Sequence, residues 1–240
     1  MKYLLTFLVL LTVIGGAGTF FVAKQLYRQV NQVRLDPLQL TLYPGTPAAK
    51  ASSKPRLVFF GDSRALSWPV PDIAGFEFLN RGIGQQTSEQ IRLRYDQHVA
   101  PLNADILVLQ LCVNDLKAIP LVPQQHQTIV AQCQSNTREI IAKARQQGSR
   151  VILTTIFPLG TVPLYRRLFW SDAVAQAINT VNADLATLPA DGIELLDSFS
   201  LLGGSQGNQI NPDYSRDLLH LNDRGYAVLN EALQQHLTKR

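Results

Sequence analysis

The sequence predicts an α/β domain built on a parallel sheet wrapped by helices and preceded by one N-terminal transmembrane helix. Three observations carry that reading. From Arg56 to the end of the chain, strand-like and helix-like segments alternate. Asp105–Leu111 contains an unbroken apolar run, the pattern of a strand buried on both faces. Leu4–Ala23 is twenty residues without a charge, long enough to cross a bilayer as a helix.

The apolar start is read as an uncleaved anchor, residues 1–23. It is longer than the usual apolar core of a signal peptide, and Phe21-Val22-Ala23 makes a poor cleavage site. Lys24, Arg28 and Arg34 follow it, and the positive-inside rule would put the body of the protein in the cytoplasm. The signal-like start argues for export, and we expect an extracytoplasmic domain. Residues 24–55 are expected to form a tether. Its first part, Lys24–Arg34, is polar and able to continue the helix, and its remainder carries Pro37, Pro44, Gly45, Pro47 and Pro55.

The folded domain then occupies residues 56–240. Strands are expected at Arg56–Gly61, Phe76–Asn80, Asp105–Leu111, Arg150–Ile156 and Ile193–Asp197. Helices are expected at Gln124–Gln147, where apolar residues recur from Ile129 to Ala144 and Gly148 supplies a stop, at Ser171–Leu188 and at Asp223–Leu237.

Composition narrows the function. A content of 46% hydrophobic residues in 240 suits one core of ordinary size. The 22 basic against 18 acidic residues give a net charge of +4, too small an excess to argue for nucleic acid, and part of it flanks the apolar segment. Two cysteines, Cys112 and Cys133, make neither a disulfide framework nor a zinc spacing. They read as a buried small hydrophobe and a helix-face core residue. His98, His126 and His236 lie in polar contexts, are expected at the surface, and have no ligand spacing. No metal or other cofactor is implied.

Parallel strands end on one edge of their sheet, where open α/β folds hold ligands. The first strand runs into Gly61-Asp62-Ser63, the second into Asn80-Arg81-Gly82-Ile83-Gly84-Gln85, and the third into Cys112-Val113-Asn114-Asp115. Asp217-Leu218-Leu219-His220 precedes the last helix. Gly-Asp-Ser alone is satisfied by a turn and a helix cap. In company, Ser63 reads as a nucleophile. It needs a neutral imidazole to take its proton, which His220 can supply, and a carboxylate to fix the ring's tautomer, which Asp217 can supply. The backbone N–H of Ser63, a backbone N–H from the Gly84-Gln85 turn and the side-chain amide of Asn114 could stabilise an oxyanion.

These four blocks resemble the SGNH hydrolases, also called the GDSL-like lipase/esterase family. The resemblance covers the chain from about Arg56 to Leu237. It implies a flavodoxin-like three-layer α/β/α sandwich and metal-independent hydrolysis of an ester, with Ser63 as nucleophile, His220 as base, Asp217 orienting it and Asn114 as oxyanion donor. Two positions depart from the family pattern. Cys112 stands where a glycine usually precedes the asparagine, and Gln85 stands where a glycine often donates its N–H.

Asp62 and Asp115 read as loop braces. The segment Phe157–Trp170, with Phe157, Tyr165, Phe169 and Trp170 beside Arg166 and Arg167, reads either as an ordinary covering loop or as a lid that contacts an acyl chain or the membrane. The sequence thus points to a membrane-anchored serine esterase or lipase acting on a small-molecule, lipid or sugar ester. Acyl transfer to a cell-envelope sugar or polymer, and a non-catalytic envelope protein that keeps the fold, are the alternatives.

Overall fold

The computed structural model of the protein describes residues 1–43, 53–204 and 209–238. The chain divides into two units, Met1–Gln39 and Leu40–Arg240. In the first, helix α1 covers Lys2–Leu35, 34 residues with none buried. Among the described residues it is the one helix long and apolar enough to cross a membrane. Its Thr6, Thr12 and Thr19 hydroxyls each donate to the carbonyl four residues back, so they present no unsatisfied donor on an apolar helix.

In the second unit, five strands form one parallel sheet: β1 (Arg56–Gly61), β2 (Glu77–Gly82), β3 (Ile106–Gln110), β4 (Arg150–Thr154) and β5 (Ile193–Leu196). Their order is β2-β1-β3-β4-β5, the flavodoxin-like order with its switch point between β1 and β3. The central strands β1 and β3 are buried throughout, as their apolar runs require. The edge strands β2 and β5 are only half-buried over most of their length.

Helices α2 (Ser63–Leu66), α3 (Ser88–Leu93), α4 (Tyr95–His98), α5 (Val113–Leu116), α6 (His126–Gln146), α7 (Ala173–Leu185), α8 (Ser198–Leu202) and α9 (Asp223–Thr238) complete the described regular structure, together with short 3₁₀ turns. One sheet face carries α3, α6 and α7 through Ile91, Ile140, Val174 and Ile178. The other carries α9 through Tyr226, Leu229 and Leu233, with Trp68 and Phe157 beside them. These make the three layers.

The stretch expected as a tether is partly structured. α1 continues through Lys24–Arg34 to Leu35. Leu40 and Tyr43 contact the domain, the Leu40 carbonyl lying 3.1 Å from His98 Nε2, the Tyr43 hydroxyl donating to the Gly82 carbonyl at 2.6 Å and Arg81 lying over the Tyr43 ring. Residues 44–52 of the expected tether lie outside the described residues. This packing explains why His98, expected at the surface, is only 2% exposed: Tyr43 meets its ring edge-on. The two cysteines are also not independent core residues. Cys112 and Cys133 form a disulfide, because α6 passes over the end of β3 with Cys133 facing it.

Candidate active site

Gly61 ends β1 because nothing larger fits. A β-carbon there would stand 1.7 Å from the Gln110 carbonyl oxygen. Asp62 is the N-cap of α2, its Oδ1 accepting from the Arg64 N–H at 2.9 Å, which sets Ser63 on the first turn. Gly82 is likewise forced by proximity, since its β-carbon would lie 2.1 Å from the Leu66 nitrogen of α2.

Ser63 Oγ lies 2.9 Å from His220 Nε2, across 157 residues of chain. His220 Nδ1 is 2.9 Å from both oxygens of Asp217. Asp217 Oδ1 also accepts the backbone N–H groups of Leu219 (2.8 Å) and His220 (2.9 Å). Partial burial works to raise the Asp217 carboxyl, but those N–H groups and the His220 ring outweigh it and hold the group below its ordinary value. An ionised Asp217 can keep the Nδ1 proton in place and leave Nε2 to face the serine.

Arg64, which sequence reasoning passed over, joins the two halves of the site. It is fully buried. Its Nε donates to the Leu219 carbonyl at 2.8 Å, its own carbonyl accepts from the Tyr226 hydroxyl at 2.8 Å, and its guanidinium lies 4.9 Å from the centre of the Phe157 ring. Burial lowers its pKa to about 10. Burial raises neighbouring Asp62 to about 6, against the pull of Arg64. Asp62 is therefore a loop brace and cap, as its type suggested.

The second and third blocks meet beside the serine. A β-carbon built on Gly84 would be 3.9 Å from Ser63 Cβ. Gln85 follows at φ +66°, exposed to solvent. Gln86 is buried, its Oε1 accepting from Arg94 and its carbonyl accepting from Asn114 Nδ2 at 2.9 Å. Arg94, a second buried arginine not read from the sequence, also donates to the carbonyls of Gly61 and Arg81 at 2.8 Å each, so it pins the ends of β1 and β2 together. Asp115 accepts from the Ser88 N–H and hydroxyl, bracing α5 against α3. Cys112 caps α5 at φ +84°. Both departures from the family's glycines thus fall at backbone conformations that favour glycine.

The expected lid residues separate. Phe157, expected at the substrate, instead has no exposed surface and packs on Trp68 beneath Arg64, because its chain is still leaving β4 through the core. Trp170 is half-buried against the core. Tyr165 and Phe169 are exposed on a 3₁₀ helix, Leu164–Phe169, in company with Leu164 and Leu168. This segment starts beside the Asp217 loop, where the Gly160 N–H donates to the Leu218 carbonyl at 2.8 Å. A cleft of about 750 Å³ opens there, lined by Gly160, Thr161, Gln209, Asn211, Ser215 and Asp217 among others.

The sequence profile of the GDSL-like lipase/acylhydrolase family matches residues 59–228, from the second half of β1 into α9. The chain belongs to the GDSL-like lipase/acylhydrolase family. Solved structures agree on the fold of this GDSL-like protein. A candidate acylhydrolase from Bacteroides fragilis is 25% identical, with a TM-score of 0.64 over 84% of this chain and 93% of that one. A GDSL-like lipase from Bacteroides thetaiotaomicron is 23% identical, with a TM-score of 0.66 over 86% and 97%. The acetylxylan esterase Axe2 of Geobacillus stearothermophilus, as a catalytic mutant, is 15% identical, with a TM-score of 0.56 over 80% and 98%. No curated protein matches the chain in sequence.

Proposed function

We propose that this GDSL-like protein is a serine esterase that cleaves an O-acyl or thioester bond through an acyl-enzyme on Ser63. The observation that carries the reading is the continuous chain from Ser63 Oγ through His220 to Asp217, each contact at 2.9 Å. In the first step Ser63 gives its proton to His220 Nε2 and its oxygen attacks the acyl carbon. Asp217 stabilises the imidazolium that forms. The oxyanion that develops is met by the Ser63 N–H, which stands in the first turn of α2 where a helix has no internal acceptor for it. N–H groups of the Gly84-Gln85 turn and the second hydrogen of the Asn114 amide complete the set. Collapse expels the alcohol or thiol with the proton from His220. Water then repeats the sequence and frees the acid.

The exposed face of Leu164–Phe169 is assigned to the acyl chain of the substrate. Four large apolar side chains there are 63–88% exposed. α1 is assigned as a membrane anchor, on its length and the mean hydropathy of 2.2 over its most apolar 18-residue stretch. The domain is assigned to an extracytoplasmic, oxidising compartment, where disulfides such as Cys112–Cys133 form and persist. The test is a panel of acetyl to long-chain esters on the full-length protein in detergent, with Ser63→Ala as the control. Hydrolysis that depends on Ser63 supports the reading. Absence of turnover across the panel, or equal turnover in the control, overturns it.

A further inference from the structure

The Cys112–Cys133 disulfide ties the loop that presents Asn114 to the longest helix of the domain. The N-cap of α5 is Cys112 itself, whose carbonyl accepts from both Asp115 and Leu116 at 3.1 Å. α5 is four residues long, a single turn, and has little stability of its own. Asn114 is its second residue. Cys133 is buried in the middle of the 21-residue α6 and has no exposed surface. Cys112 is 1% exposed and holds φ +84°, a conformation that a residue with a β-carbon leaves unless its surroundings forbid it.

We propose that this disulfide is a positioning element for the oxyanion hole, which holds Cys112 in the left-handed backbone conformation that a glycine would adopt unaided and thereby fixes the direction of the Asn114 amide. A crosslink needed only for stability could join α6 to any neighbouring element. Here it is attached two residues from the proposed donor, at the strained residue that caps that donor's helix. Asn114 in turn ties back to the Gln86 carbonyl at 2.9 Å, so a loosened Cys112 disturbs two of the three blocks around Ser63. The inference rests on the esterase reading above, because it assigns a role within that reaction.

The experiment uses the full-length protein in detergent and reads kcat, KM and melting temperature on an acetyl ester. Cys133→Ala removes the bond and keeps Cys112. It is expected to lower kcat tenfold or more with KM changed less than twofold. Cys112→Gly/Cys133→Ala also lacks the bond but restores a residue suited to φ +84°, and is expected to recover kcat to within threefold of wild type. In an Asn114→Ala background, removing the bond should change kcat less than twofold, since the group it positions is gone. A folded Cys133→Ala enzyme with wild-type kcat, an equal loss in the Asn114→Ala background, or failure of the glycine pair to recover would each overturn the proposal. If Cys133→Ala does not fold, the wild-type bond is reduced slowly with a phosphine while free thiols and kcat are followed together. Thiols that appear with kcat unchanged overturn the proposal, and a parallel loss supports it. A wild-type enzyme that hydrolyses no ester fails the esterase reading instead, so the two failures are distinguishable.

Discussion

Arg64 donates its Nε proton to the carbonyl of Leu219 at 2.8 Å, so the residue after Ser63 holds the residue before His220. Two segments separated by about 155 residues are thereby fixed to each other one position away from the pair that must share a proton. Arg64→Lys keeps the charge but lacks a planar Nε–H in that position. It should destabilise the fold by about 1–3 kcal/mol through the buried carbonyl left unpaired. It should also lower kcat more than it raises KM. Ester kinetics beside thermal unfolding check this. Unchanged kcat in a folded variant would show that the Ser63–His220 distance is set elsewhere.

Asp62 predicts a pH dependence of stability. Its folded pKa is about 6, against 3.8 ordinarily, because burial penalises its charge more than Arg64 rewards it. Between those values the folded protein holds a proton that the unfolded chain has released. Stability contributed by Asp62 is therefore full below about pH 4 and declines as pH rises through 6, by an amount on the order of 3 kcal/mol. Asp62→Asn keeps an oxygen to cap α2 and removes the titration. Its unfolding free energy should gain on that of wild type as pH rises from 4 to 7, by denaturant titration at each pH. A constant difference between the two would contradict the raised value.

Gln85 tests the turn beside the serine. At φ +66° it bears a conformational strain that glycine would not. Gln85→Gly should raise stability by about 0.5–1 kcal/mol, the strain relieved less the greater entropy of the unfolded glycine chain. Its side chain is exposed and its proposed contribution is a backbone N–H, so Gln85→Ala should leave kcat within about threefold of wild type. A hundredfold loss in Gln85→Ala with the fold intact would mean that the side-chain amide itself touches substrate.

Leu168 and Phe169 test chain-length preference. They are 88% and 63% exposed, so their replacement by serine should cost little stability. Long-chain esters should lose affinity and acetyl esters should not, because apolar contact is worth about 0.8 kcal/mol for each methylene buried and an acetyl group has almost none to bury. The ratio of kcat/KM for the two substrates is the readout. An equal loss on both would move these residues from substrate binding to packing.

Much of this was legible because hydrophobic pattern reports burial. The apolar runs of β1 and β3 gave the buried centre of the sheet, and the strand ends then located Ser63, Asn114 and the Asp217–His220 loop on one edge. Helix α3 was missed although Thr87-Ser88-Glu89-Gln90 is a capping-box sequence, and the box is formed. Its two apolar positions, Ile91 and Leu93, were too few to show a period. Arg64 and Arg94 were not legible as buried groups, because a charged residue is assigned to the surface unless its partners are known, and their partners are backbone carbonyls far along the chain. The same limit hid the Cys112–Cys133 bond, since two cysteines alone do not specify a crosslink. Phe157 misled for the opposite reason: it adjoins an exposed segment in sequence but belongs to the core in space.

Activation of Ser63 as a nucleophile by His220 and Asp217 is tested most directly by covalent labelling of the full-length protein with a fluorophosphonate, followed by mass analysis of the intact chain and of its peptides. A single adduct is expected, on Ser63. Labelling is expected to disappear in Ser63→Ala and to slow by about a thousandfold or more in His220→Ala, because the hydroxyl without its base is inert. Failure of the folded protein to label, or labelling that persists at full rate in His220→Ala, would contradict it.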